Sequence, residues 1–448
     1  MARWTNAPSA GASAGVAIRI CSSIILIPNA QDPGTANGLY TLVKVIRGVE
    51  LISSQSQLSE AHAARLILVL ALAPAVGVGL CRFAYSLLLP DMRESLAWSY
   101  ATAGFMNTTN AAGYLSGALA ASPIARRIGL FRAVLIGTAV CVATLVLSMS
   151  ASVMVLSTVR FLSGFAGAVA FVAASALATN IAQAHPQRLG FLMGLLYTGP
   201  GIGIFISGLT APFLLQWLGP GSWWIVWGVL AAIALVLNMV LPLARAAPDA
   251  SSGKAVAGSA PILPMLVYLI GYFFYGAGSI AYMTFMIAFV RDSGGGALTQ
   301  SAFWTIIALG AFVSPWLWGG VINRGRGGGA TAIVTAVTGL GALIPFFSGS
   351  TLALALSGVV FGSGFFAVTS STTAFVRFNY SPDAWPKAIG ILTMAFGIGS
   401  MLGPILTGAV SDATGNLSSM LAISAGLLAL GAIVAACQRP LVVRQSPL

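Results

Sequence analysis

The sequence predicts an all-α membrane protein: twelve transmembrane helices in two pseudo-symmetric six-helix bundles. Hydrophobic residues fill 58% of the 448 positions and charged residues only 7%, with a mean hydropathy of +0.93, far from any soluble domain. The apolar stretches are long and hold Gly and Pro, whereas barrel strands would alternate polar and apolar at every second residue. The third observation is an internal repeat. GLLYTGPGIG at 194–203 matches GILTMAFGIG at 390–399, SGF recurs at 163 and 363, and GVG at Gly77 aligns with GAG at Gly276. Shifts of 196, 200 and 199 at separate places imply two six-helix units in parallel orientation.

Taken in order, residues 1–62 mix Ser, Asn, Gly and Pro with short runs such as VAIRICSSIILIP, which Arg19 interrupts before spanning length. A poorly structured extension is expected there. No small-residue cleavage site marks a signal peptide. With no methionine between Met1 and Met92, the start reads as placed too far upstream, with initiation within residues 43–60; a disordered or surface-lying arm is the competing view. Residues 63–243 hold six apolar segments, near 65–90, 98–121, 131–150, 152–183, 188–217 and 222–243. A polar, small-residue stretch at 244–261 reads as a cytoplasmic linker. Residues 262–438 hold six more, near 262–290, 299–322, 329–348, 351–377, 386–411 and 417–437, and a tail follows at 439–448.

The basic residues orient the chain. If the first helix leaves the cytoplasm, twelve of the 21 fall on inner loops or the tail, from Arg126, Arg127 and Arg132 to Arg439 and Arg444. Only Arg93 and Arg291 fall on outer loops. Both termini are then cytoplasmic, and Trp217, Trp223 and Trp224 anchor the outer interface. The net charge of +12 thus follows the loops and argues for no nucleic-acid partner. Cys21, Cys81, Cys141 and Cys437 lack paired or metal-like spacing, and His62 and His185 lie outside the spans, so no metal, cofactor or histidine relay is expected.

One full charge stands inside the first apolar run, LVLALAPAVGVGLCRFAYSLLLP: Arg82. A guanidinium keeps its proton, and at hydrocarbon depth it costs at least ~2.5 kcal/mol unless it faces protein, water or an anion. All nine carboxylates (Asp32, Glu50, Glu60, Asp91, Glu94, Asp249, Asp292, Asp383 and Asp412) lie in loops, at helix ends or in the N-terminal arm. An arginine without an acidic partner points to an anionic ligand, or to carbonyls and water; snorkelling to the interface is the plain alternative.

The loop GALAASPIARRIGLFR, Arg160 in VRFLSGFAGA and the run YTGPGIGIFISG resemble the major facilitator superfamily over nearly all of residues 65–437. GLCRFAYSLLLPDM with AGYLSGALAASPIARRIG is similar, more narrowly, to its bacterial YbfB/YjiJ branch. The superfamily loop usually has an acidic residue four places after its first glycine; counted from Gly117, that place is Ala121, which puts the loop-gating ion pair in doubt. The resemblance implies the major facilitator fold, with a central cavity lined by helices one, four, seven and ten, and transport by rocking of the bundles.

Helical rise places Arg82 and Arg160 at one depth, roughly 6 to 7 Å outward of the bilayer middle, where together they can form a bidentate receptor for an acid. Arg160 has a second reading, as a tie between helices through backbone carbonyls. Tyr85 follows Arg82 on the same face. Asn107, Asn110 and Tyr114 from the second helix, Tyr275 and Tyr282 from the seventh, and Thr369 and Thr373 from the tenth complete the candidate substrate site. For each, helix packing or bonding to its own backbone is the alternative.

The expected function is secondary active transport of a small organic anion or amphipathic acid across a bacterial inner membrane. Proton coupling stays open, on the substrate or at Asp91 or Asp412. A non-transporting receptor or scaffold and an exporter of a neutral solute are the alternatives. An intramembrane enzyme lacks a nucleophile with a base in the spans, and no nucleotide loop supports ATP-driven transport.

Overall fold

Away from water, every backbone N–H and C=O must be bonded within the chain, and helices do this within each segment. A computed structural model describes residues 16–20, 23–27, 59–245, 260–381 and 384–441. Twelve helical segments run antiparallel through it: α1 (Glu60–Ser95), α2 (Tyr100–Ile128), α3 (Leu130–Leu147), α4 (Val153–Ala182), α5 (Pro186–Leu218) and α6 (Trp223–Ala244), then α7 (Leu263–Asp292), α8 (Ala297–Ile322), α9 (Gly329–Phe347), α10 (Thr351–Asn379), α11 (Trp385–Thr414) and α12 (Ser418–Ala436). Eleven are long and apolar enough to cross a membrane. The other is α2, whose hydropathy is lowered by polar residues including Asn107, Thr108 and Asn110, each of which bonds a neighbouring helix.

The N-terminal region differs from expectation by a two-stranded antiparallel hairpin, β1 (Val16–Ile20) with β2 (Ser23–Ile27), in register from Val16 opposite Ile27 to Ile20 opposite Ser23. Isoleucine-rich runs this short favour strand pairing over a helix. Most of the expected linker, at 246–259, and the tail beyond Leu441 lie outside the described residues.

Serines open several helices: Ser99, Ser152 and Ser350 accept from the backbone N–H three residues on and cap α2, α4 and α10. Within the first bundle, α1 is pressed between α4 and α5 backbone to backbone. A Cβ on Gly77 would stand 2.7 Å from the Cα of Gly167, and one on Gly79 would stand 2.4 Å from the Cα of Gly203. In the second bundle a Cβ on Gly403 would meet Ala277 O at 2.1 Å, seating α11 on α7. The SGF repeats are not equivalent in packing: Gly164 faces α2, Gly364 faces α9.

The bundles meet chiefly along two helix pairs that the repeat relates, α2 with α11 and α5 with α8, and also where α1 meets α7. Their two ends are distinguished below as the terminus end, where α1 begins and α12 finishes, and the far end, which carries the α1–α2 loop.

Candidate functional site

The site grows from a distortion of α1. Between Ala75 and Phe83 the helix widens to π turns, and Ala84 N–H donates to Gly79 O, five residues back, at 3.1 Å. The glycines that let α4 and α5 approach α1 lie in this same stretch. Arg82 emerges from it 4% exposed, with Nε and Nη2 buried and without a hydrogen-bond partner. Its guanidinium carbon lies 5.2 Å from the centre of the Tyr114 ring and 5.9 Å from that of Phe83. Helical rise puts it about 7 Å from the midpoint of α1, toward the far end.

Arg160 reaches the same neighbourhood from α4 but is engaged. Nη1 donates to Cys81 O, Nε to Met106 O at 3.4 Å and Nη2 to Asn107 Oδ1 at 3.3 Å, while the guanidinium covers the Tyr85 ring at 4.5 Å. Tyr85 in turn donates its hydroxyl to Ala103 O at 2.9 Å, and Asn110 Nδ2 donates to Arg160 O and Ser163 Oγ, each at 3.0 Å. Arg160, Tyr85, Asn107 and Asn110 therefore knit α1, α2 and α4 together. Of the two arginines, one is held by carbonyls and an amide, and the other keeps Nε and Nη2 unspent.

The second bundle supplies aromatic faces. Tyr272 and Tyr275 stack with centroids 5.7 Å apart, and Phe396 of α11 lies 5.4 Å from the first and 5.9 Å from the second. Phe365 of α10 meets Phe83 of α1 edge-on at 6.0 Å across the bundles. Tyr275 donates to Phe365 O, and Tyr282 pairs with Ser357 Oγ while its ring stacks on Phe361 at 4.2 Å. Thr373 bonds its own helix at Thr369 O, 3.2 Å away, and both threonines are exposed. The structure thus brings Arg82, Tyr114 and the Tyr275 ring toward one region, while the hydroxyls of Tyr85, Tyr275 and Tyr282 are taken by protein acceptors. Phe83 and Phe396 were missing from the candidates; Phe396 sits inside the repeated run at 390–399, the one signal that pointed to it.

At the far end the bundles are tied. Arg291 Nη2 donates to Glu94 Oε2 at 2.7 Å, and the Asp412 carboxylate accepts the N–H groups of Tyr100 and Ala101, both at 2.8 Å. Deeper in, Thr108 donates to Met401 O, and Asn107 Nδ2 to Thr284 Oγ1 at 2.5 Å. Asp91, expected at the rim, is buried and accepts Gly221 N–H at 2.8 Å and Trp223 N–H at 3.0 Å. Trp223 consequently points inward, 4% exposed, and is no surface anchor, whereas Trp217 and Trp224 are exposed.

Residues 74–436 match the family described as uncharacterised MFS-type transporter YbfB. The chain is 27% identical over 387 residues to the chloramphenicol resistance protein of Streptomyces lividans, covering 83% of this chain and 95% of that one. It is 25% identical over 338 residues to the probable sulfoacetate transporter SauU of Cupriavidus necator, covering 68% and 77%. To monocarboxylate transporter 13 of Rattus norvegicus it is 27% identical over 291 residues, covering 61% and 64%. Among solved structures, a mutant of the nucleoside transporter NupG aligns with a TM-score of 0.63 at 16% identity, covering 82% of this chain and 98% of that one. A bacterial homologue of the human lysosomal transporter Spinster aligns at 0.62 and 14% identity, covering 84% and 94%. Both have the fold seen here. A family match spanning so much of both bundles decides the class: this chain is a membrane transporter rather than an enzyme, and it belongs to the YbfB family of the major facilitator superfamily.

Proposed function

We propose that the chain is a secondary transporter that carries a small organic anion across a bacterial inner membrane by alternating access, with Arg82 as the anion's contact. The observation that carries this reading is the guanidinium buried at mid-bundle with two donors unspent. An unpaired ion in such a place costs several kcal/mol, which a carboxylate offsets when it arrives. Tyr114 borders the guanidinium, and Arg160, Tyr85, Asn107 and Asn110 hold the frame behind it. The Tyr275 ring forms the opposite wall through Phe365 and Phe83, while Tyr282, Thr369 and Thr373 are outlying candidates on α7 and α10. The probable sulfoacetate and monocarboxylate transporters among the relatives agree with an acidic solute.

Residues 63–243 and 262–438 are the two moving bodies in this reading, joined by the linker at 244–261. The distribution of basic residues supports a reading with the terminus end in the cytoplasm and the closed far end outward. Reconstituted in liposomes, the protein is expected to take up labelled organic acids, and Arg82→Ala to lose at least tenfold of that rate. Unchanged uptake in the variant would remove Arg82 from the mechanism. The chloramphenicol resistance relative and the aromatic walls favour a second reading, export of a neutral aromatic solute. Drug resistance that survives Arg82→Ala would select it.

A further inference from the structure

We infer that the anion is a planar aromatic monocarboxylate, bound side-on to Arg82 with its ring among the aromatic side chains of both bundles. The inference rests on the reading of Arg82 as the anion's contact and narrows it by three observations.

The first concerns which donors are unspent. Nε and Nη2 form one edge of the guanidinium, and their N–H bonds run parallel. Two parallel donors match the two oxygens of a single carboxylate. A phosphate or sulfonate would keep a third oxygen seeking a donor.

The second is the charge count. Arg160, the other cation in reach, spends its donors on Cys81 O, Met106 O and Asn107 Oδ1. One uncommitted positive group balances one negative charge, and a second carboxylate would be desolvated with nothing opposite it.

The third is what surrounds the guanidinium. Phe83 and Tyr114 lie against it, and from Phe83 the rings continue through Phe365 and Tyr275 to Phe396 and Tyr272 with successive centroids 5.4 to 6.4 Å apart. Tyr275 spends its hydroxyl on Phe365 O, so this wall offers a ligand ring faces and edges more than donors. Such a surface accepts a flat ring in stacked or edge-on contact, beyond what an aliphatic body of equal size gains.

The test is binding to the full-length protein in nanodiscs, by calorimetry and thermal shift. The probes are benzoate, 2-naphthoate, cyclohexanecarboxylate, terephthalate, benzenesulfonate and benzamide. Benzoate and 2-naphthoate are expected to bind, with cyclohexanecarboxylate about tenfold weaker and terephthalate, benzenesulfonate and benzamide weaker still. Arg82→Lys keeps the charge but loses the paired donors, and is expected to weaken benzoate at least tenfold. Phe396→Leu should weaken benzoate and leave cyclohexanecarboxylate unchanged, and Arg439→Ala, on the exposed C-terminal segment, should change neither. Aliphatic, dianionic or sulfonate probes that bind as tightly as benzoate would overturn the aromatic monocarboxylate and leave Arg82 as an anion site. Binding of no acid at all, or benzoate affinity indifferent to both Arg82→Lys and Arg82→Gln in variants that still fold, would overturn the anion site itself.

Discussion

The two ends of the α2–α11 pair are built differently. At the far end the helices touch through backbone: a Cβ on Gly104 would come 2.3 Å from Pro404 O, and one on Gly408 would come 2.4 Å from Tyr100 O. Toward the terminus end of α11, a Cβ on Gly390 would meet nothing within 4 Å. The α5–α8 pair repeats the contrast. A Cβ on Gly208 would press on Trp304 at 3.0 Å, whereas Gly190 and Gly194 of α5 and Gly319 and Gly320 of α8 have open space around them. Glycine on the same helices therefore serves close approach at one end and stands clear at the other. The lesson is that this state is held shut by surface relief, with a few polar ties added on top, and that alternating access must separate α2 and α11 where their backbones fit with no side chain between them.

That contrast can be broken by adding one methyl group. Gly104→Ala forces a shift against a carbonyl, so a loss of about 1–3 kcal/mol is expected, with transport falling several-fold. Gly390→Ala should leave both within error, and equal effects in thermal unfolding and uptake would refute the difference between the ends. Asp412→Asn tests the polar tie. Its carboxylate accepts two N–H groups at the start of α2, where the helix dipole favours negative charge, so the amide should weaken closure by about 1 kcal/mol. A cysteine placed at Ser99 should then react faster with a membrane-impermeant maleimide. A smaller effect than that of Asp412→Asn belongs to Glu94→Gln, because the Glu94–Arg291 pair is 50% and 36% exposed at its side chains. A change of about 0.2–1 kcal/mol is expected, shrinking as salt is added, and labelling of the same cysteine across a salt series would measure it.

Much of this architecture was legible in the residues. Long apolar runs mark where helices cross, and the repeat relates the pairs that later meet, α2 with α11 and α5 with α8. Arg82 stood out because the spans hold no acid to neutralise it, and that reasoning needs no coordinates. Arg160 carried two readings, an anion contact beside Arg82 and a tie to backbone carbonyls, and depth alone did not choose between them. What separates them is Cys81 O, a main-chain acceptor that the widened turn of α1 presents to Arg160. No side chain announces such a carbonyl. Asp91 escaped in the same way: its place at the end of the first span was countable, but its role in receiving the start of α6 depends on how the α5–α6 loop returns across α1.

By itself the sequence determined the membrane-spanning class, the order of the helices and the presence of two arginines at depth without an acidic neighbour. These follow from transfer free energies that each residue carries wherever it sits. Tertiary structure alone decided which arginine keeps its donors unspent, which rings surround it and which end of the molecule is closed. Those outcomes depend on where backbone carbonyls and glycines from distant segments come to rest against each other, and hydropathy has no term for that distance.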